Sequence, residues 1–219
     1  MSQIFIPEAV LLDSLTKFLK FVIVNFKSKT TEQETWLYKV LVGTKGIQRH
    51  NFYNEAKNIF LTDFDDPKRI PINLFFNPDK QGLPAIHITL PSEQQKNNSL
   101  GNGMGIGAML DNGTTYQESY TRRFTATYNI LISGTNVMQV IAIYHVLRAL
   151  IITLRSHLEL SGVENISISG RDVTLNPDLI PINTFVSGIG LAFEYNTGAY
   201  DITELPFITE LNFEGTAKL

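Results

Sequence analysis

An α+β fold, a mostly antiparallel sheet with one long helix packed on a face, is what this sequence predicts, and three observations carry the prediction. From Glu118 to Ser133 apolar and polar residues alternate over more than a dozen positions, and such a period of two marks a strand with one buried side. Asn136 to Leu160 is almost wholly apolar and lies between a helix start signal and Ser161-Gly162, a stop signal. Two more strand-like segments follow, Val163–Ser169 and Thr184–Tyr195. A chain of 219 residues buries about 70% of its unfolded surface, so one domain spanning 1–219 is expected without staples. Cysteine is absent, which removes disulfides, thiolate nucleophiles and thiolate-bound zinc together.

The elements follow in chain order. Pro7 suits a first helical position, and Glu8 and Asp13 favour the positive end of the helix dipole. Val10, Leu11, Ser14, Leu15, Phe18, Leu19, Val22 and Phe26 then fall mostly on one face, as an amphipathic helix requires. Acidic residues near the start, and Lys17 and Lys20 within the apolar run, argue against a signal peptide. Thr31 and Glu34 fit a capping box for a short helix over Glu32–Val42 ending at Gly43, and a few more helical turns are expected from Phe52 to Leu61. Asp63-Phe-Asp-Asp-Pro67 has the carboxylates of a calcium loop but lacks the glycine and distal glutamate of an EF-hand. It reads as a turn, and no metal site is expected.

Strands are expected over Arg69–Phe76 and Leu83–Leu90, on either side of the turn signal Asn77–Gly82. In the second, Ile86, Ile88 and Leu90 oppose His87 and Thr89, so His87 is expected to be exposed or partly paired. From Ser92 to Gln117 no periodicity appears, with glycine at Gly101, Gly103, Gly105 and Gly107. Gly103 to Ala108 satisfies the G-x-G-x-x-A dinucleotide fingerprint, yet no buried strand precedes it and turn residues follow where a helix must begin. No cofactor is therefore expected. Segment 92–117 reads instead as a long flexible loop or tongue that orders against a partner.

In the long strand Tyr120, Phe124, Ala126, Tyr128, Ile130 and Ile132 share one face. Arg123, Thr125, Thr127 and Asn129 share the other, a hydrogen-bonding surface that can face water, a lumen or a neighbouring subunit. Arg122 and Arg123 point to opposite faces and cannot clamp one anion together. Asn136 is the expected N-cap of a single helix reaching Leu160, close to 37 Å at about 1.5 Å per residue. Its thin polar stripe is His145, Arg148, Arg155 and Glu159. Arg148 near the middle, with no basic flank, favours burial between protein layers over a membrane span. Gly188, Gly190 and Ala192 in the last strand are expected to let this helix approach closely. The C-terminal segment 196–219 contains a direct repeat, Ile202-Thr-Glu-Leu-Pro-Phe207 and Ile208-Thr-Glu-Leu-Asn-Phe213. An extended arm of this composition can add to a partner's sheet and insert Ile202, Leu205, Phe207, Leu211 and Phe213 into its pockets, or it can fold back onto its own domain.

The search for chemistry returns little. With 18 basic and 21 acidic residues, non-specific nucleic-acid binding lacks its electrostatic driving term. His50, His87, His145 and His157 are dispersed, and His145 and His157 lie about 18 Å apart along a helix axis, too far to share a metal. No G-x-S-x-G, H-E-x-x-H or P-loop pattern occurs, and the chain is not expected to be an enzyme.

The order of elements resembles the tail terminator and tail-completion proteins of tailed bacteriophages. The resemblance is carried by Pro84–Ile88, Glu118–Ser133, the helix from Asn136 with Ser161–Ser169, and Thr184–Tyr195. It implies an α+β subunit assembling into a ring of six copies, located in the virion, that ends the tail tube or joins it to the neck, with tube, sheath or neck proteins as partners. No catalytic, cofactor or metal residues and no membrane partner are expected from the residues themselves. The segment before Pro84 is longer than the family's, and the repeated arm departs from its pattern. Two other readings remain open: a small-molecule enzyme with a pocket lined by His145, Arg148 or Asp172, and a non-viral interaction module.

Overall fold

A computed structural model describes residues 5–42, 51–63, 66, 69–75, 84–96, 106–109, 116–172 and 184–201. Helix α1 spans Pro7–Lys27, α2 Trp36–Leu41, α3 Phe52–Phe60, α4 Val137–Thr153 and α5 Arg155–Leu160. The strands are β1 Ile72–Leu74, β2 Ala85–Gln95, β3 Ile106–Met109, β4 Tyr116–Gly134, β5 Val163–Asp172 and β6 Phe185–Asp201. They form one six-stranded, mostly antiparallel open sheet in the order β1-β2-β4-β6-β5, with β3 paired to β4. The class is α+β. By its contacts the chain divides into two compact units, Ile6–Gln95 with Phe124–Tyr195, and Met1–Phe5 with Lys96–Arg123 and Asn196–Leu219. Strands β4 and β6 contribute residues to both.

In the larger unit, α1 begins at Pro7 as expected and buries Leu11, Ser14, Leu15, Phe18, Leu19, Val22 and Ile23. The capping box does not form: Thr31 makes no side-chain cap, and Glu32–Glu34 is a 3-10 turn. The next helix is capped by Thr35, whose hydroxyl accepts from Tyr38 N–H at 3.3 Å. Asn51 caps α3 in the same way through Asn54 N–H, at 3.1 Å. At the acidic cluster Asp66 N–H donates to the Asp63 carbonyl at 3.0 Å, which is a turn, and Asp63 pairs with Lys27 at 2.6 Å.

β1 is only three residues long and pairs parallel to β2, Asn73 opposite His87, so the two do not form a hairpin. β2 runs antiparallel to β4, with a bulge between Thr89 and Ser92. Pro91, which has no N–H to give a ladder, sits in that bulge. A second bulge in β5, between Glu164 and Ser167, contains Asn165 with φ 52, a backbone state that asparagine tolerates better than most residues. Asn165 also donates to Glu194 at 3.0 Å.

The face that packs on helices follows from the alternation. Ala126, Tyr128, Ile130 and Ile132 of β4 are fully buried, with Ile86 and Ile88 of β2 and Ile189, Leu191 and Phe193 of β6. Tyr128 stacks on Phe193 with ring centroids 5.5 Å apart, and Phe124 stacks on Tyr195 at 5.8 Å. Numbers rise along β4 as they fall along β6, the sense of an antiparallel pair. Tyr128 Oη donates to Glu8 Oε1 at 2.7 Å, which ties α1 to this face. Gly170, opposite Ile189 on the same face, marks where α4 sits: a Cβ there would lie 1.9 Å from Tyr144 Oη.

Three expectations are corrected here. The glycine that allows close helix approach is Gly170. Gly190 and Ala192 point away from the large residues of β6, and a Cβ on Gly190 would meet Ser169 Oγ at 2.4 Å. The single helix to Leu160 is broken at Leu154, where φ is -105 and ψ 21. The break lets α5 turn Leu158 into the core and set His157 edge-on against Phe18 at 6.1 Å. In segment 92–117, expected to be without structure, β2 continues to Gln95, β3 occupies Ile106–Met109 and β4 has begun by Tyr116. Backbone pairing sustains these strands, and it carries no side-chain period to read.

Candidate functional site

The sheet face opposite α1 and α4 is polar and small-residue-rich, and its exposure is graded. At the β5 edge Ser167 and Ser169 are exposed, while Thr125, Thr127 and Ala192 are half-buried. Toward β2 the same face closes over Asn129, Leu131, Ser133 and His87, all buried. Thr125 stands opposite Gln94 and Thr127 opposite Ser92, so these two predicted surface residues do share a face. Arg123, one position pair earlier, is half-buried, and its carbonyl accepts from Lys96 N–H at 2.9 Å. Of the predicted tongue, Gly107 lies in β3 opposite Glu118. Gly101, Gly103 and Gly105 fall outside the described residues, as do Ile202, Leu205, Phe207, Leu211 and Phe213 of the arm.

His87, expected to be exposed or partly paired, is paired and buried, 1% exposed. Its Nε2 meets Ser133 Oγ at 3.1 Å and its Nδ1 meets the Phe75 carbonyl at 3.4 Å. Burial holds its pKa below the ordinary histidine value, against the raising effect of the Phe75 carbonyl. The contact fixes a strained position: Phe75 has φ 70, a left-handed conformation uncommon for a bulky side chain. Its ring is 71% exposed. Leu74 and Leu90, also exposed, belong to the paired strands β1 and β2, so this corner of the sheet is apolar.

Compared with protein-family models and with curated protein sequences, the chain gives no match.

Between α2, α3 and α4 lies a half-open groove of about 560 Å³, lined by Val40, Leu41, Phe52, Ile141, Ala142, His145, Arg148, Ala149 and Ile152. It exists because α4 presents small and aliphatic residues at helical spacing where α3 packs against it. The volume falls within the range of ligand sites, and the lining is apolar with two convergent polar groups. His145 has its pKa lowered, first by burial and then by the Arg148 charge, so it is neutral at pH 7. Among the described residues no carboxylate lines the groove, and Arg148 makes no ion pair. Sequence reasoning singled out His145 and Arg148 as a pocket pair but had no signal for α2 and α3 as its other walls. Asp172, the third residue of that reading, is in β5. Among the described residues no group of three or more histidines, aspartates or glutamates could hold a metal ion. No helix among them is long and apolar enough to cross a membrane.

Proposed function

We propose that this chain is a structural protein of a tailed-phage virion, a tail terminator or tail-completion subunit that closes into a ring at the head–tail junction. The observation that carries the reading is the open sheet with its two faces unlike: large apolar groups under the helices, serines, threonines and small residues on the other side. A ring closes through heterologous contacts, in which one surface of a subunit meets a different surface of the next. The edge strand β5, the Thr125–Thr127 face and the apolar corner at Phe75 are three surfaces of different chemistry that suit such contacts. Tail-tube, sheath or neck proteins are the further partners in this reading. Sedimentation velocity of the full chain, alone and with tail tubes, tests it. The expected result is a closed particle several times the 24.6 kDa chain mass or co-sedimentation with tubes. A monomer indifferent to both overturns it.

The groove favours a second reading, a small-molecule-binding α+β protein, because His145 and Arg148 do line one cavity. Binding to the folded state alone raises the melting temperature, so a thermal-shift screen of nucleotides and small carboxylates against the wild type and Arg148→Ala separates the two.

A further inference from the structure

We infer that the groove between α2, α3 and α4 receives the C-terminal repeat of a second copy of this chain, one hexapeptide per groove, with a glutamate of the repeat on Arg148. The choice of a second copy as donor rests on the self-assembly reading above; the match of groove to repeat stands on three observations of its own.

The first is period. Ile202, Leu205, Ile208 and Leu211 recur every third residue, Thr203, Pro206, Thr209 and Asn212 form a second series, and Glu204, Phe207, Glu210 and Phe213 a third. Three residues per turn is the polyproline II repeat, in which the three series become three edges. One edge is aliphatic, one polar, and one alternates acid with aromatic. Pro206 supports that backbone by fixing φ and giving up an N–H.

The second is length. The α4 wall of the groove runs from Ile141 to Ile152, about 16 Å at the helical rise. From Ile202 to Phe207 is five steps, also about 16 Å at the polyproline rise. One repeat therefore fills one groove, and its duplication provides a second registration on the same surface.

The third is charge. The groove offers an apolar floor and Arg148, a cation that among the described residues has no ion pair and no lining carboxylate beside it. Each repeat brings one glutamate, followed directly by a leucine. Guanidinium and carboxylate pair with two parallel hydrogen bonds, and the surrounding apolar contacts exclude water from them.

Absence of native cysteine allows a direct test by disulfide trapping in the full-length chain. Ile152→Cys in one preparation and Thr203→Cys in another are mixed and oxidised; Ile152 is 57% exposed, so its replacement leaves the core alone. The expected product is a covalent pair of chains, formed well above the yield of Thr203→Cys mixed with Val24→Cys, at an exposed position of α1. Adding Arg148→Glu to the Ile152→Cys chain lowers the yield about tenfold or more, as like charge replaces a charge-assisted contact. A yield equal to the control, or one unmoved by Arg148→Glu, overturns the inference. So does closure only within a doubly substituted chain, which would assign the arm to its own groove. Closed particles without the cross-link sink this inference and leave the ring; the cross-link without closed particles does the reverse. Ile141→Cys repeats the test from the opposite end of the groove.

Discussion

Replacing Tyr128 with phenylalanine removes one oxygen atom from the centre of the molecule and should show how α1 is held on the sheet. The ring is fully buried and stacks on Phe193 at an interplanar angle of 4°, contacts that phenylalanine preserves. What disappears is the bond from Tyr128 Oη to Glu8 Oε1, 2.7 Å long. Burial, and then Glu8, push the tyrosine pKa far above its ordinary value, so the hydroxyl stays protonated and remains a donor throughout the working pH range. A hydrogen bond to a charged group contributes roughly 1.5–3 kcal/mol. In a chain of this size 1 kcal/mol moves the melting temperature by about 2–4 °C, so Tyr128→Phe is expected to lower it by about 3–12 °C, read by circular dichroism. Glu8→Gln should cost a similar amount, and the double variant less than the sum of the two, because both report the same contact. A Tyr128→Phe melting temperature unchanged from wild type, or strict additivity in the double variant, would refute the argument that this bond anchors the helix.

Three further outcomes are expected. His87 is neutral and buried with its pKa lowered; below about pH 6.5 the unfolded chain takes up a proton that the folded one refuses, so stability present above that pH falls as pH drops. Urea denaturation between pH 7.5 and 5 should show that slope, and His87→Gln should flatten it by up to about 1.4 kcal/mol per pH unit, with His145→Gln as the separate control for the other lowered histidine. Asn136→Ala removes the α4 cap, in which Asn136 Oδ1 accepts from Met138 N–H at 2.9 Å, and should cost about 1 kcal/mol in the same assay. Phe75→Gly relieves a positive φ and deletes an exposed ring. It should leave folding stability unchanged or raised by up to about 1 kcal/mol, while reducing the sedimenting assembly if the apolar corner is a subunit contact.

The sequence by itself determined those features whose causes lie within a few residues. Pro7 starts α1 because its ring fits a first turn, Asn136 caps α4 because its side chain reaches a free N–H two residues on, and the alternation in β4 names the buried face before any partner strand is known. At Thr31 and Thr35 even local chemistry was ambiguous, since both can cap and the backbone selected the second. Tertiary structure decided everything that depends on what a residue meets across the fold. His87 is buried because Ser133, 46 positions later, stands beside it. Gly170 and not Gly190 faces α4 because the register of β5 on β6 puts it there. The helix breaks at Leu154 so that Leu158 reaches the core, and a groove appears at Arg148 only when α2 and α3 arrive against α4. Propensity and capping act over one or two turns of chain, whereas strand register and helix packing are set by pairing between segments that the sequence holds far apart.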